Sequence, residues 1–311
     1  MNLQQLKIVI EAERNNFNLT QVARAMFTSQ SGISKAIKEL EEELGFEIFS
    51  RRGKRLKGLT EPGKSVFEYA YRILENVHNI KEVKEQFSSK DAGQLILATT
   101  HTQARYALPE LIMSFRNSHP NVQFVLHQAS PPEISSMLDS GEADLAIATE
   151  SLQKDPRFTT FPFYHWYHGI IVPTNHPLTK KNNFNLKNVS KYPIVTYHEG
   201  FTGRSKIDST FANNKIELKV VLEALDADVI KAYVAINLGV GIIASMAYDN
   251  ELDTNLVLLD GSEIFPQNTT VLALRKNRVL KGFTAKFASL CLKNMSVDKI
   301  QKATLSEKFK N

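Results

Sequence analysis

Two groups of polar residues in this chain have the types and spacings that could do chemistry. The first is Thr99-Thr100-His101-Thr102-Gln103, together with Thr149 and the pair Thr202-Gly203. Each lies where a short apolar run ends, and two of the three stand just before a helical pattern. Hydroxyls and amides there are neutral donors, and a helix start adds free N–H groups and the positive end of its dipole. Such an arrangement holds a small anion, sulfate or a carboxylate, without an ion pair. A threonine at a helix start is equally well a cap, and only convergence from several strand ends argues for a ligand. The second group is Gln30, Ser31, Ser34, Lys35 and Lys38, followed by Arg51, Arg52, Lys54 and Arg55. These are donors of short and long reach, suited to base edges and phosphates.

Other combinations carry less. Asp144, Asp226 and Asp228 form no acid/base pair with another carboxylate, and no nucleophile–base–orienter set is visible, so no catalytic residue is assigned. The eight histidines include no H-E-x-x-H or H-x-x-E-H, and Cys291 is the single cysteine, so no metal site, cofactor or internal disulfide is expected. The G-x-G of GVGIIAS at Gly239 follows a helix and precedes a strand, the reverse of a dinucleotide fingerprint. His101 lies at the candidate anion site by position, as do Phe201 and Gly203. Tyr164-His165-Trp166 reads as an aromatic wall or as core. Arg105 and Arg204 either set the local potential or form structural ion pairs.

The elements that position the second group begin the chain. Leu3, Leu6 and Ile10 open a helix that fades at Asn15-Asn16. Asn18 with Gln21 is a capping-box spacing for a second helix with Leu19, Val22, Ala23 and Met26 on its apolar face. After Phe27, the third helix spans Thr28 to Leu44: Ile33, Ile37, Leu40 and Leu44 form one stripe, Thr28 or Ser29 caps it, and Gly45 ends it. Two short helices joined by a tight turn, the second with a polar outer face, form a helix-turn-helix. Phe46, Ile48 and Leu56 then alternate with polar residues around an Arg52-Gly53-Lys54 tip, and five basic residues lie between Arg51 and Lys57. Beside a recognition helix this is a wing that grips phosphates. Val66, Ala70, Ile73, Val77, Ile80 and Phe87, broken at Lys84, give a long helix suited to pairing with a second copy. The polar stretch from Ser88 to Gly93 is the expected linker.

From Gln94 strands alternate with helices: QLILATT, a helix from about Ala104 to Asn117, VQFVLHQ, a helix across Ile134 to Leu138, and ADLAIAT. A second set runs GIIVP, YPIVTY, a helix from Arg204, KVVLEA, a helix from Ala227 to Leu238, and VGIIAS; TTVLAL and a helix near Phe283 to Leu292 close the chain. Repeated βα units predict a largely parallel, doubly wound sheet in each of two lobes, joined near Phe161 to Phe163 and near Pro266 to Thr270. Ligands in such sheets sit at the carboxyl ends of the strands. The net charge of +5 and pI near 9.0 favour an anionic partner. No apolar run has the ~20 residues a bilayer span needs and no export signal is seen, so a cytoplasmic location with no membrane partner is expected.

The signature TSQSGISKAIKELEEELGFEIFSR, with the following RGKRLKGLTEPG, resembles the LysR-type transcriptional regulators. Ser31 stands where that family very often has Pro, and Gly32 where most members have Ala. The resemblance implies an α/β protein: a winged helix-turn-helix over 1–60, a dimerisation helix over 61–92, and a two-lobed periplasmic-binding-protein-like effector domain (lobe I, 93–162 and 268–311; lobe II, 163–267). ATTHTQARYALP, IATE, YHW, GFTGRS, DADVIKAYV and GVGIIASMA further resemble the branch of the family that activates cysteine biosynthesis. That implies an anion site at Thr100, Thr102, Gln103, Thr149 and Thr202, with Trp166 nearby. It also implies an acetylserine inducer opposed by sulfide or thiosulfate, a homotetramer, promoter DNA and RNA polymerase as partners. DNA contact is expected from Thr28, Ser29, Gln30, Ser31, Ser34, Lys35, Lys38 and the wing cations. Two alternatives stay open: a regulator sensing another anion such as sulfate or adenosine phosphosulfate, and a solute-sensing protein whose N-terminal module only dimerises.

Overall fold

The computed structural model describes residues 1–53, 55–87, 92–180, 184–293 and 295–305. Lys54, linker residues 88–91 and the last residues of lobe I, 306–311, therefore lie outside the described residues, as do the side chains of Lys84 and Phe87. Two units form, Met1–Phe87 and Ser88–Asn311.

In the first unit, α1 (Leu3–Arg14) and α2 (Leu19–Ala25) precede α3 (Gln30–Leu44). Asn2 and Gln5 form a reciprocal capping box on α1. Asn18 caps α2 by accepting from Thr20 N and Gln21 N. Ser29 is the cap of α3, accepting from Gly32 N at 3.1 Å, and Gly45 ends it in the left-handed conformation at φ +76°. Ile33, Ile37 and Leu40 are buried against Ile8, Val9, Val22, Ile48 and Phe49. The wing is β1 (Phe49–Arg52) paired antiparallel with β2 (Arg55–Leu59), Arg52 opposite Arg55. Its expected alternation from Phe46 is corrected: Ile48 and Phe49 are both buried and Phe46 is 39% exposed, because the strand starts only at Phe49 and its register shifts between Ser50 and Arg51.

The long helix α4 is Glu61–Phe87. Its apolar stripe is divided between two tasks. Ala70 is buried against Leu6 and Ile10, with Phe67, Tyr71 and Leu74 alongside, so its first turns belong to this unit's own core. Ile73 and Ile80 remain 37% and 72% exposed.

The second unit holds two five-stranded sheets. The first contains β3 (Gly93–Thr99), β4 (Val122–Gln128), β5 (Leu145–Thr149), β6 (Phe158–Trp166) and β12 (Asn268–Arg275), ordered β4-β3-β5-β12-β6. The second contains β7 (His168–Pro173), β8 (Ile194–Tyr197), β9 (Val220–Ala224), β10 (Val240–Ala244) and β11 (Leu256–Leu259), ordered β11-β7-β10-β8-β9. In each, four strands run one way and a single strand, β12 in the first and β7 in the second, runs against them, so two of the four pairings are parallel and two antiparallel, which corrects the largely parallel expectation. The antiparallel strands are those that carry or adjoin the two crossings between sheets, and a chain that crosses and returns must run both ways. The crossings fall at Tyr167 and Gln267, whose side chains meet (Gln267 Nε2 to Tyr167 Oη, 3.0 Å).

The helix expected from Ala104 to Asn117 is two: α5 (His101–Tyr106) and α6 (Pro109–Ser118). Ala107 N and Leu108 N both close on Gln103 O at 3.1 Å, and Pro109, which has no N–H and excludes the preceding turn, begins a new helix. The remaining helices are α7 (Pro131–Ser140), α8 (Leu186–Val189), α9 (Arg204–Asn213), α10 (Ala227–Ala235), α11 (Gly282–Cys291) and α12 (Val297–Thr304). Strands β6 and β11 and helices α8 and α12 fall outside the expected elements, and the crossing expected near Phe161 to Phe163 is corrected: those residues lie inside β6, which pairs with β12 as far as Trp166. Separate cores of Ile, Val, Leu and Phe side chains fill the two lobes.

Candidate functional site

Helix α3 presents Gln30, Ser31, Ser34, Lys35 and Lys38 on its exposed face, with Thr28 and Ser29 exposed at its start. Lys35 and Lys38 meet Glu39 and Glu42 one turn on, at 3.7 and 3.4 Å; exposed pairs of this kind are weak and exchange readily for phosphates. A Cβ on Gly32 would stand 3.2 Å from Ser29 Oγ and 3.3 Å from Thr28 Oγ1, so glycine leaves room for both hydroxyls. Ser31 Oγ contacts Ser29 Oγ at 3.0 Å, a contact no proline could make.

The wing cations differ in role. Arg52 and Arg55 are exposed at the tip. Arg51 is tied back to α3, its Nη2 donating to Glu41 Oε2 at 2.6 Å. Glu41 Oε1 accepts Ile48 N and Phe49 N at 2.9 and 3.1 Å, so one carboxylate orders the whole entry into β1. Spacing along the sequence shows a basic run; it does not show which cation the fold consumes.

The second group of residues lies where the sheets end. Thr100 is the N-cap position of α5 and is buried; Thr102 and Gln103 in its first turn are 1% and 0% exposed. Thr149 ends β5 and pairs in register with Thr270 of β12. Across the crossings, Thr202 is 2% exposed in a loop at φ +39°, followed by Gly203 at φ +69° as the N-cap position of α9.

A chain of contacts brings these together. Tyr164 Oη donates to Gln103 Oε1, so the carboxamide turns its Nε2 donor away from the phenol. Burial pushes the Tyr164 pKa up to about 12, against the lowering effect of hydrogen bonds with Thr270 and Gln103. Thr102 lies against the Tyr197 phenol, whose pKa is raised chiefly by complete burial. His168, fully buried beside Tyr197, makes a 3.0 Å hydrogen bond from Nε2 to Thr202 O, and its Nδ1 meets Asn268 Nδ2 at 3.2 Å. With Nε2 donating, Nδ1 is the acceptor from the Asn268 amide.

At the strand ends four buried polar atoms are left without a well-formed hydrogen bond, Thr102 Oγ1, Gln103 Nε2, Thr202 Oγ1 and Asn268 Oδ1, and His101 Nδ1 beside them at the start of α5 is another. Such atoms are expensive to leave unsatisfied, and three of the four belong to residues singled out from the sequence. These orphans carry more weight than helix dipoles do. The six-residue α5 has a small dipole, and the start of α9 already closes Arg204 N on Phe201 O at 2.8 Å.

The neighbouring residues resolve as follows. Trp166 is 4% exposed, its Nε1 donating to Thr270 Oγ1 at 3.0 Å, and Phe201 packs on the second-lobe core. His101 is half-exposed and turns Nε2 toward Asp228, 3.9 Å away. Arg105 pairs with Asp228 at 2.9 Å, and buried Arg204 pairs with Asp208 at 2.7 Å and Glu223 at 2.8 Å; both arginines are structural ties. His101, Asp226 and Asp228 also lie within ligand distance of one another, but Arg105, Tyr106 and Lys231 already occupy the Asp228 carboxylate. Asn268 and His168 are site residues that the sequence does not single out, and Tyr164 reads there only as part of an aromatic wall or as core. Their signal was only that they flank the crossings, where strands of both lobes must meet.

A wing beside an exposed reading helix, joined in one chain to a two-sheet domain with unsatisfied donors at its strand ends, defines a DNA-binding regulator with a ligand-sensing domain. Residues 3–64 match the family model described as "Bacterial regulatory helix-turn-helix protein, lysR family", and residues 88–296 match "LysR substrate binding domain". The chain belongs to the LysR family. It is 51% identical over 283 residues to the HTH-type transcriptional regulator SsuR of Burkholderia cenocepacia, covering 91% of this chain and 92% of that one. It is 42% identical over 307 residues to the HTH-type transcriptional regulator CysB of the same organism, covering 99% and 98%. The solved cofactor-binding domain of the Cbl transcriptional regulator superposes with a TM-score of 0.66 at 42% identity, covering 68% of this chain and 93% of that domain.

Proposed function

We propose that the protein is a transcriptional activator of cysteine biosynthesis and sulfur assimilation, controlled by a small acetylated amino acid of the acetylserine type. The observation that carries the effector half is the set of four orphaned polar atoms at the strand ends. Three donors and one acceptor, all neutral, suit an anion that also offers a donor of its own, as an acetylserine does through its amide N–H or its ammonium group. Sulfate alone would leave Asn268 Oδ1 unmatched; a regulator sensing sulfate or adenosine phosphosulfate is the second reading. The likeness to SsuR, CysB and Cbl supports the sulfur setting.

Gln30, Ser31, Ser34, Lys35 and Lys38 read the major groove or its phosphates, and Arg52 and Arg55 grip from the wing. The exposed Ile73 and Ile80 of α4 support pairing with a second copy, the first step toward a homotetramer. Work on promoter DNA, with RNA polymerase as the downstream partner, is cytoplasmic work without a catalytic step. Effector binding acts by population shift: it favours one lobe arrangement only as far as its affinity for the two arrangements differs, and this re-spaces the DNA-binding pairs. Titration calorimetry of the full chain against O- and N-acetylserine, sulfate and thiosulfate tests the reading. An acetylserine isomer should bind, and Thr102→Ala and Thr202→Val should lose that heat while still binding promoter DNA. Heat with sulfate alone, or unaltered acetylserine binding in both variants, would overturn it.

A further inference from the structure

Helix α2 closes on a residue that glycine would suit. Thr28 N donates to Ala23 O at 2.9 Å and Phe27 N to Arg24 O at 3.1 Å, the paired bonds of a Schellman cap. The first residue past such a cap takes the left-handed conformation, as Gly45 does after α3. Here it is Phe27, at φ +52°. A bulky side chain is strained in that region. Burial does not compensate, because Phe27 is 97% exposed.

Phe17 supplies the contrast. It too has positive φ, +61°, just past a helix, but its ring packs edge-on to Phe49 with centroids 6.3 Å apart, against the core of the unit. Backbone economy and core packing explain Phe17. Neither explains Phe27.

Position does. Phe27 stands two residues before the Ser29 cap, beside exposed Thr28, Ser29, Gln30 and Ser31. The N-terminal end of a recognition helix is the part that meets base edges in the major groove, and the apolar feature displayed there is the thymine C5-methyl group. We propose that Phe27 is a base-reading residue whose ring packs on a thymine C5-methyl in each half-site. This rests on α3 being the DNA-reading helix.

The test uses the full chain and a duplex that it selects from a random-sequence library. Each thymine of that duplex is replaced in turn by deoxyuridine, which removes only the methyl group. At one or more positions in each half-site the unaltered protein should bind about fourfold more weakly, the worth of one buried methyl. Phe27→Ala and Phe27→Gly should bind the parent duplex more weakly and show no difference between thymine and deoxyuridine there, while Phe27→Tyr keeps the difference. Phe27→Gly should melt no lower than the unaltered protein, since glycine suits the left-handed position, which separates a lost contact from a lost fold. Indifference of the unaltered protein to every deoxyuridine overturns the inference. So does full thymine sensitivity in Phe27→Ala, or a Phe27→Ala loss that leaves the thymine–deoxyuridine ratio intact. A protein that selects no duplex at all overturns the reading-helix assignment and this inference with it.

Discussion

The residues that shape the proposed effector site are mostly not the ones expected to touch the effector. Tyr164 holds the Gln103 carboxamide in one orientation, and its phenol is kept neutral by burial, with a pKa near 12 against an ordinary value of 10.0. Because the folded value is raised, the neutral phenol stabilises the fold fully below about pH 10, and that contribution is lost as the pH rises toward 12. Tyr164→Phe should therefore flatten the fall in stability between those pH values, read by chemical denaturation, and loosen effector binding at neutral pH by freeing Gln103. Gly203 is the second case. At φ +69° it already excludes most side chains, and an added Cβ would lie 2.6 Å from Asn268 Oδ1 and 2.9 Å from His168 Cε1. Gly203→Ala should lower stability by about 1–3 kcal/mol in a denaturant melt and displace the Thr202 wall of the site.

At the scale of elements, the wing is built from α3 outward. Glu41 on α3 takes two backbone N–H groups and Arg51, and its side chain is only 10% exposed. Removing it in Glu41→Ala should leave those donors unmatched and cost about 1–3 kcal/mol, measured by thermal or urea unfolding of the full chain. Arg55→Ala should behave oppositely, since Arg55 is exposed at the hairpin tip. Its melting should not change, while binding weakens on every duplex and the salt slope of log K falls by about one. A basic run thus separates into a cation that holds the wing and cations that use it. The long helix α4 divides similarly, its first turns committed to α1 and Ile73 and Ile80 left exposed outside that core.

At the scale of the sensing domain, one carboxylate gathers several of the ties between the two lobes. Asp228 at the start of α10 accepts from Tyr106 Oη at 2.7 Å, pairs with Arg105 at 2.9 Å, and lies 3.4 Å from Lys231, which is itself anchored to Asp253 at 3.0 Å. Tyr106 and Arg105 belong to α5 and the carboxylate to the second lobe, so these contacts tie one lobe to the other. Asp228→Ala removes the tie without touching the orphaned donors. The effector must then draw the lobes together unaided, and its Kd should rise about three- to tenfold in calorimetry, with DNA affinity in the absence of effector kept.

Local periodicity by itself determined the helix-turn-helix, its caps and the βα order of the sensing domain, because those features depend on neighbours three or four residues away. It also singled out Thr102, Gln103 and Thr202, since strand ends and helix starts are visible as changes of pattern. It could not determine that the helix after Thr100 is broken before Pro109, that β11 adds an edge to the second sheet, or that Arg51 serves Glu41. Nor could it reach Asn268, more than sixty residues from Thr202 in the chain, whose oxygen stands beside Gly203 only after both crossings are made. A side chain's periodicity says that it faces a core or water. Which group it meets there depends on contacts distant in sequence, and only the tertiary structure decides those.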